Sequence, residues 1–284
     1  MNSGELNWIE YLKKRVPKSQ NISIGIGDDC AFVRAKSRRL VLKSDLFIEN
    51  VHFKINETGF KTIGMRAVGR VLSDFAACAA LPEFIGVSLG MPSNLKPRSI
   101  NAILDGILEY CDKFGFSLIG GDTAVSDKLI IDVWAVGTVK KFISRKGACI
   151  GDYIFISGRL GMHGFNEPFE PRIRQARYLV QNFKITSMVD ISDGFFLDLW
   201  RILDASKKGA LVWHDKIPVT AGSSDLERGE DYELVFTVGK DEPNIDRICD
   251  NFYLIGRVKS KNYGYRIEKN SRISRVKVKG YTHF

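Results

Sequence analysis

Cysteine and histidine are scarce in this chain, and their spacing excludes disulfide frameworks and zinc modules. The 284 residues include five cysteines and four histidines. The cysteines are odd in number, lie far apart and form no C-x-x-C pair. This pattern predicts reduced thiols instead of a disulfide framework or a zinc site. With 44% hydrophobic residues the chain can build a core from apolar side chains, and its length suggests about two domains.

Long hydrophobic segments are also absent from the sequence. No uninterrupted run of about 18 apolar residues occurs, so we expect no transmembrane helix. The segment 1–20 is polar and lacks the apolar stretch and the cleavage site of a secretory signal peptide. We therefore expect a cytoplasmic protein without membrane attachment.

The phosphate-binding signatures of common nucleotide-binding proteins are missing. The sequence contains neither the P-loop pattern G-x-x-x-x-G-K-[ST] nor the H-R-D and D-F-G motifs of protein kinases. The glycine-rich segment 158–164 has the spacing G-x-x-G-x-x-G, which does not match the dinucleotide fingerprint. Any phosphate groups that this chain binds must therefore be held in another way.

Acidic residues are outnumbered by basic ones. The chain has 42 Lys and Arg against 33 Asp and Glu, a net charge of +9, and its most basic segment is 259–279. Such a segment can bind nucleic acid or form a solvated surface. Because no zinc-finger spacing, basic-zipper heptad or RNA-recognition aromatic motif accompanies it, we do not expect nucleic acid as a partner.

Several acidic residues lie in four short motifs. The motifs are G-D-D at 27–29, S-D at 73–74, G-G-D-T at 120–123 and D-I-S-D-G at 190–194, and Asp45 follows an apolar run. Clustered carboxylates repel one another, and burying them without a counter-charge is costly. Divalent metal ions remove that cost, and oxygen ligands without Cys or His favour Mg²⁺ or Mn²⁺. The motifs therefore predict a metal-dependent site for phosphoryl-group chemistry.

Apolar periodicity predicts a mixed α+β protein. The amino-terminal half has the predicted order β, β, α, β, α, β, β, with the S-D motif on the first helix and the other acids at strand ends. Ser99 is a predicted cap of the second helix, and a further helix is predicted over 195–206. A short polar segment follows residue 140, so we expect one domain over 1–140 and a second over 141–284.

Each motif also has a purely structural interpretation. Asp beside Gly is common in turns, and Ser192 and Asp193 can cap the helix that begins at Phe195. His52 can be a packed histidine, and Tyr281 can anchor the end of the chain in the core. The number and order of the motifs, not any single one, favour a functional site.

The order of these motifs resembles that of the thiamine-monophosphate kinase family. The family belongs to a superfamily with aminoimidazole ribonucleotide synthetase, selenophosphate synthetase and a hydrogenase-maturation protein. The resemblance covers nearly the whole chain, and its later segments are the ones specific to the thiamine-phosphate member. The matching segments are G-I-G-D-D-C-A (25–31), S-D-x-x-x-E-x-V-H-F (44–53), S-D-x-A-A (73–77), I-G-G-D-T (119–123), R-K-G-A-x-x-G-D (145–152), D-I-S-D-G (190–194), G-E-D-Y-E-L (229–234) and G-Y-T-H-F (280–284).

The resemblance implies an architecture and a reaction. It implies two α/β domains, of which the amino-terminal one binds metal and ATP and joins a second copy in a dimeric β-barrel. The carboxyl-terminal half would be a mixed sheet covered by helices. The family transfers the γ-phosphoryl group of ATP directly to thiamine monophosphate, which yields thiamine diphosphate and ADP. We therefore expect ATP as co-substrate, several Mg²⁺ ions with Mn²⁺ as a possible substitute, and a homodimer.

The matching positions imply roles for individual residues. The implied metal ligands are Asp28, Ser44, Asp45, Asp74, Asp122, Asp190 and Asp193. The implied catalytic residues are Asp45, Asp74 and Asp122. The implied contacts to ATP are Gly121, Asp122, Arg145 and Ser192. The implied contacts to thiamine monophosphate are His52, Glu230 and Tyr281.

The chain departs from the family pattern at several positions. Lys43 stands where the family has Ser or Thr, and Leu104 stands where an aromatic residue often packs on adenine. The segment 76–80 differs from the usual turn, and the loops at 158–164 and before Gly229 are short. Two alternatives therefore stay open. One is another ATP-dependent enzyme of the superfamily with a different small acceptor; the other is a catalytically weak, basic nucleic-acid-binding or regulatory relative.

Overall fold

A six-stranded mixed sheet occupies the amino-terminal half of the described chain. The computed structural model describes residues 22–24, 31–34, 39–162, 164–222 and 224–281. The strands of this sheet are β1 (Ile22–Ile24), β2 (Ala31–Arg34), β3 (Arg39–Ile48), β4 (Leu81–Met91), β5 (Ser117–Val125) and β6 (Ile130–Thr138). They lie in the order β1-β2-β3-β6-β4-β5, in which β4 and β5 pair in parallel and the other neighbours are antiparallel.

A second mixed sheet occupies the carboxyl-terminal half. Its strands are β7 (Tyr153–Ile156), β8 (Ile185–Asp190), β9 (Gly209–Trp213), β10 (Leu234–Val238), β11 (Tyr253–Lys259), β12 (Tyr265–Lys269) and β13 (Arg272–Arg275). They lie in the order β13-β12-β9-β11-β7-β10-β8, and β9 pairs with β12 in parallel. The two sheets confirm the mixed α+β class.

The helices cover the sheets and join the two halves. They are α1 (Phe60–Ala77), α2 (Pro97–Phe114), α3 (Ile173–Asn182), α4 (Phe195–Ser206), α5 (Asp225–Arg228) and α6 (Ile245–Cys249). Helix α4 buries Phe195 and Leu199 in a cluster with Val189 and Val235 of the second sheet. Helix α2 ends at Phe114 and is followed by Gly115, whose left-handed backbone (φ 72°) suits glycine and stops the helix.

Helix α1 is buried along most of its length. Its residues from Ile63 to Ala77 are mostly buried, and it packs against α2, β3 and β6 of the amino-terminal half and against α3 and β8 of the carboxyl-terminal half. One hydrophobic core consequently includes Val71 of α1, Ile85 of β4 and Phe155 of β7. Polar side chains on α1 therefore lie at the junction between the two sheets.

Most predicted elements are present, and α4 has the predicted bounds. Three local predictions are wrong. The G-G-D-T motif lies inside β5 and Asp45 lies in the middle of β3, where strand ends were predicted. Ser99 does not cap α2, because the helix begins at Pro97 with Lys96 at the cap position. Proline suits the first turn of a helix because its missing N–H has no helical partner there.

The assembly of the amino-terminal sheet stays a prediction. Within one chain the sheet is open, with β1 and β5 at its edges. The dimeric barrel and the domain division after residue 140 therefore stay predictions. In the part of the chain that the structure describes, we find no helix with the length and apolarity needed to cross a bilayer.

Candidate active site

Two of the predicted catalytic carboxylates meet at a lysine between β3 and α1. Side chains alternate along β3, so Lys43 and Asp45 share the inner face with the buried Val41 and Phe47. The Nζ atom of Lys43 lies 3.1 Å from Oδ1 of Asp45 and 2.6 Å from Oδ2 of Asp74. We call these three residues the Lys43 cluster. Both acids therefore contact the same positive charge.

Ser44 and Asp122 lie on the opposite, outer face of the sheet. The Oγ atom of Ser44 donates a hydrogen bond to Oδ1 of Asp132 at 2.7 Å. Asp132 and Asp122 line one shallow depression, and Gly121 precedes Asp122 in β5. The sheet separates these acids from the Lys43 cluster. Within one chain, the predicted metal ligands therefore do not all lie at one site. Asp132 was not predicted. Its position between aliphatic residues in the alternating pattern of β6 could have identified it as an acid on the outer face.

Ser73 connects α1 to the end of β8. Its Oγ donates a hydrogen bond to Oδ2 of Asp190 at 2.6 Å, and both residues are buried. Asp190 is the last residue of β8, and Asp74 follows Ser73 on α1. This contact fixes the start of the D-I-S-D-G motif beside the helical turn that carries Asp74.

A buried carboxylate of α4 holds the backbone of the D-I-S-D-G motif. Oδ2 of Asp198 accepts hydrogen bonds from the N–H groups of Ser192 (3.1 Å) and Asp193 (3.0 Å). Nη1 of Arg201 lies 2.5 Å from Oδ1 of Asp198 and 2.7 Å from Oδ2 of Asp193. Burial raises the pKa of Asp198, and the charge of Arg201 opposes that rise. The N-cap of α4 is Gly194, and no side chain caps this helix, so the capping interpretation is wrong.

Arg145 interacts electrostatically with Arg201, the partner of Asp193 and Asp198. Burial lowers the pKa of Arg201, but Asp198 and Asp193 outweigh burial and raise the pKa overall. The positive charge of Arg145 acts in the lowering direction, so the two guanidinium groups are within electrostatic reach. Oγ of Ser206 donates a hydrogen bond to the carbonyl oxygen of Arg145 at 3.3 Å, which ties this segment to α4. Arg145 and Asp193 therefore belong to one charged region.

The last two sequence motifs pack on the D-I-S-D-G motif. The N–H of Glu230 donates to the carbonyl oxygen of Ser192 at 2.8 Å, and the N–H of Tyr281 donates to that of Asp193 at 2.8 Å. In each segment the preceding residue is glycine, and a Cβ atom there would lie 2.5 Å from the same carbonyl oxygen. Close backbone approach therefore requires both glycines.

The carboxylate of Glu230 is paired with two arginines of α1. The fully buried Arg66 contacts one of its oxygens, and Nη1 of Arg70 lies 2.7 Å from the other. Nη1 of Arg70 also donates to the hydroxyl of Tyr232 at 2.9 Å. Burial lowers the pKa of Arg70, but Tyr232, Glu230 and the two acids of the Lys43 cluster raise it well above its usual value. Arg66 and Arg70 were not predicted. Two arginines four residues apart within the apolar pattern of α1 could have indicated a buried ion pair.

His52 and Tyr281 differ in how far they are exposed. Nδ1 of His52 accepts a hydrogen bond from the N–H of Ile48 at 3.0 Å, and its ring stacks on Phe47. The backbone of Tyr281 is anchored through its N–H, and the residue is 47% exposed, so the core does not enclose it. The predicted ligand Asp28 lies outside the described residues.

The oxygen atoms of the Lys43 cluster suit a hard divalent cation. Asp45 and Asp74 converge on one positive charge, and carboxylate oxygens are the ligands that Mg²⁺ and Mn²⁺ prefer. No group of three or more His, Cys, Asp or Glu side chains within the described ranges is arranged to hold a metal ion. The position between the two acids is taken by the ammonium of Lys43.

Comparison with known proteins identifies the family. A model of the AIR synthase related protein, N-terminal domain, matches residues 27–139. The thiamine-monophosphate kinase of Rhodopirellula baltica is 30% identical over 98% of this chain and 97% of the relative. The structure of AaThiL complexed with AMPPCP and TMP has a TM-score of 0.85 at 26% identity and covers 99% of this chain and 97% of that one. The HypE-HypF complex shares the fold, with a TM-score of 0.79 at 20% identity, 97% of this chain and 100% of that one being covered. The chain belongs to the thiamine-monophosphate kinase family.

Proposed function

We propose that this chain transfers the γ-phosphoryl group of ATP to thiamine monophosphate and so forms thiamine diphosphate and ADP. Family membership supports the activity, and AMPPCP and TMP are bound together in the AaThiL structure. One observation in this structure carries the assignment. Acids of β3, α1 and the D-I-S-D-G motif, which the sequence places far apart, lie around the end of β8.

The reaction needs no nucleophile from the protein. The acceptor is a phosphate, whose oxygen is already anionic, so the protein has to position two phosphate groups and balance their charge. Divalent ions held by the acidic residues of the site would neutralise charge on the transferring group. Lys43 supplies a positive charge at the same place, and Arg145 can donate two parallel hydrogen bonds to a phosphate.

The acceptor would lie near Glu230 and Tyr281. Arg66 and Arg70 balance the carboxylate of Glu230, so this group is not a free negative charge for the thiazolium ring. The half-exposed ring of Tyr281 can instead stack on that cationic ring, since an aromatic face attracts cations. The hydrogen bond from the N–H of Ile48 to Nδ1 fixes the ring of His52, which would lie near the acceptor phosphate.

A homodimer through the amino-terminal sheet would complete the site. The outer face of this sheet exposes apolar side chains, and apolar patches of this kind mark interaction surfaces. The exposed apolar residues of β3 and β4 are Leu42, Leu46, Leu81 and Phe84. Ser44, Asp122 and Asp132 lie on the same face. In a dimer these three residues would therefore face the partner subunit and not the solvent.

Two further proposals follow from the sequence. We place the division between the metal-binding, dimer-forming domain and the carboxyl-terminal domain after residue 140, close to the end of β6 at Thr138. We also propose a cytoplasmic location, because the cysteines in the described ranges are free thiols, the state that the cytosol maintains.

Product identification tests the proposed function. The purified chain is incubated with ATP, Mg²⁺ and thiamine monophosphate, and the products are separated and identified by mass spectrometry. Thiamine, which lacks the acceptor phosphate, is the matched control. We expect thiamine diphosphate and ADP in equal amounts from thiamine monophosphate and no phosphorylated product from thiamine. Failure to form thiamine diphosphate while ATP is consumed with another small acceptor would contradict the assignment.

A further inference from the structure

The Lys43 ammonium lies where a metal ion would be expected. It contacts one oxygen of Asp45 at 3.1 Å and one oxygen of Asp74 at 2.6 Å. The side chains of Lys43 and Asp45 are each 22% exposed and that of Asp74 is 11% exposed, so solvent screens them only in part. Two neighbouring carboxylates repel each other unless a cation lies between them. In this chain a side chain supplies that cation.

We propose that Lys43 is a built-in cation that replaces one divalent ion between Asp45 and Asp74. The inference rests on the proposed function, since it concerns how this site balances phosphate charge. A Mg²⁺ ion would contact its oxygen ligands at about 2.1 Å, closer than the ammonium does. The ion and the ammonium therefore cannot occupy the same position between these acids. An ion can bind there only if Lys43 moves away.

A second fixed charge supports the inference. Arg70 also interacts electrostatically with Asp45 and Asp74. With Arg66 and Glu230, which share the ion pair of Arg70, the inner group holds three positive and three negative charges. It is balanced without a metal ion, whereas an uncharged residue at position 43 would leave a net negative charge. Such a negative charge is what attracts an additional divalent ion.

A structural salt bridge is the competing interpretation. Partly exposed ion pairs contribute little to stability, so the stability of Lys43 variants does not separate the two interpretations. Binding of metal ions to the free protein does separate them. The chosen variant is Lys43→Met, which keeps most of the length of the side chain and removes its ammonium group. The matched control is Lys61→Met, since Nζ of Lys61 pairs with Glu109 at 2.6 Å in an exposed part of the molecule.

The experiment titrates Mn²⁺ into the full chain without nucleotide and follows free Mn²⁺ by electron paramagnetic resonance. We expect Lys43→Met to bind one more Mn²⁺ per chain than the wild type, or to bind it at least tenfold more tightly. Lys61→Met should match the wild type. Equal Mn²⁺ number and affinity in Lys43→Met and wild type would overturn the proposal.

Two further variants keep the test decisive. If Lys43→Met does not fold, as judged by circular dichroism, Lys43→Ser takes its place and should show the same gain of Mn²⁺. Lys43→Arg keeps the charge and should bind Mn²⁺ like the wild type; a gain in this variant would contradict the inference. The assay is independent of turnover, so failure of the kinase assignment would appear in product identification and failure of this inference in the Mn²⁺ titration.

Discussion

Ser73 donates a hydrogen bond of 2.6 Å to the buried carboxylate of Asp190, a residue 117 positions later in the chain. This contact joins the S-D motif of α1 to the D-I-S-D-G motif at the end of β8. The hydrogen bond therefore holds these two motifs in a fixed position relative to each other. The contact explains why the acids at the junction of the two sheets form a single region.

We expect Ser73→Ala to lower both stability and turnover. The substitution removes a donor from a buried carboxylate, a change that costs about 1–3 kcal/mol. Turnover should fall more than stability alone explains, because the turn that carries Asp74 loses its attachment to β8. Urea denaturation and steady-state kinetics measure the two effects. Ser126→Ala, at an exposed turn, is the control and should change neither; wild-type stability in Ser73→Ala would show that the contact is unimportant.

The outer acid Asp122 should be required for turnover and dispensable for folding. Its side chain is exposed on β5, so Asp122→Asn should leave the melting temperature unchanged. Turnover should fall by about two orders of magnitude or more, since loss of a metal ligand weakens charge neutralisation in the transition state. Asp127→Asn, an exposed acid in the next turn, is the matched control. Wild-type turnover in Asp122→Asn would assign this residue a structural role only.

Tyr281 and Glu230 should have separable effects. Tyr281→Ala removes a half-exposed ring, so it should weaken binding of thiamine monophosphate about tenfold or more and leave the melting temperature and ATP affinity nearly unchanged. Glu230→Gln removes the partner of two arginines, one of them fully buried, and should cost about 3–5 kcal/mol of stability. Calorimetry and thermal denaturation measure both. A large loss of stability with unchanged acceptor affinity in Tyr281→Ala would assign the tyrosine to packing.

Asp231 should make the protein less stable as the pH rises. Burial raises its pKa to about 6, although the N–H of Gly161 acts against the rise. In the unfolded chain the pKa of this carboxyl is about 3.9. The folded state therefore holds the proton more tightly, and this stabilising contribution is complete below about pH 4 and is lost as the pH rises through about 6.

Replacing the carboxyl of Asp231 tests whether its ionisation destabilises the folded protein. Asp231→Asn is uncharged at every pH and keeps an oxygen for the N–H of Gly161. It should be more stable than the wild type by about 1–3 kcal/mol at pH 7.5 and no more stable at pH 4, measured by urea denaturation. Asp250→Asn, at an exposed position, is the control. Lower stability of Asp231→Asn at pH 7.5 would contradict the assigned pKa.

Elements with a strong local signal were predictable from the sequence. Helix α4 has the predicted bounds because its apolar period is regular and Gly194 precedes it. The hairpin of β12 and β13 was not predicted, since its residues are rich in Lys and Arg and its turn is Asn270-Ser271. Both turn residues have positive φ, a conformation usually signalled by Asn-Gly. Only pairing with β9 reveals this hairpin as part of the sheet.

The composition of the site was predictable, but its geometry was not. The motifs identified acids such as Asp45 and Asp122, yet these acids lie on opposite faces of one sheet. Alternation along β3 could have separated Ser44 from Asp45, but only long-range strand pairing places Asp132 beside Ser44. The pairing of Arg66 with Glu230, which lies 164 residues away, follows from the packing of α1 between the two halves. Such contacts depend on tertiary structure, which local sequence patterns do not encode.

Transfer of the γ-phosphoryl group is the central claim, and following that group tests it most directly. ATP labelled at the γ-phosphate is mixed with the purified chain, thiamine monophosphate and Mg²⁺, and the label is followed into each product. We predict that the label appears in the terminal phosphate of thiamine diphosphate, that none is retained on the protein, and that a chelator abolishes the transfer. Label released only as inorganic phosphate, or retained on the protein before transfer, would contradict direct phosphorylation of thiamine monophosphate.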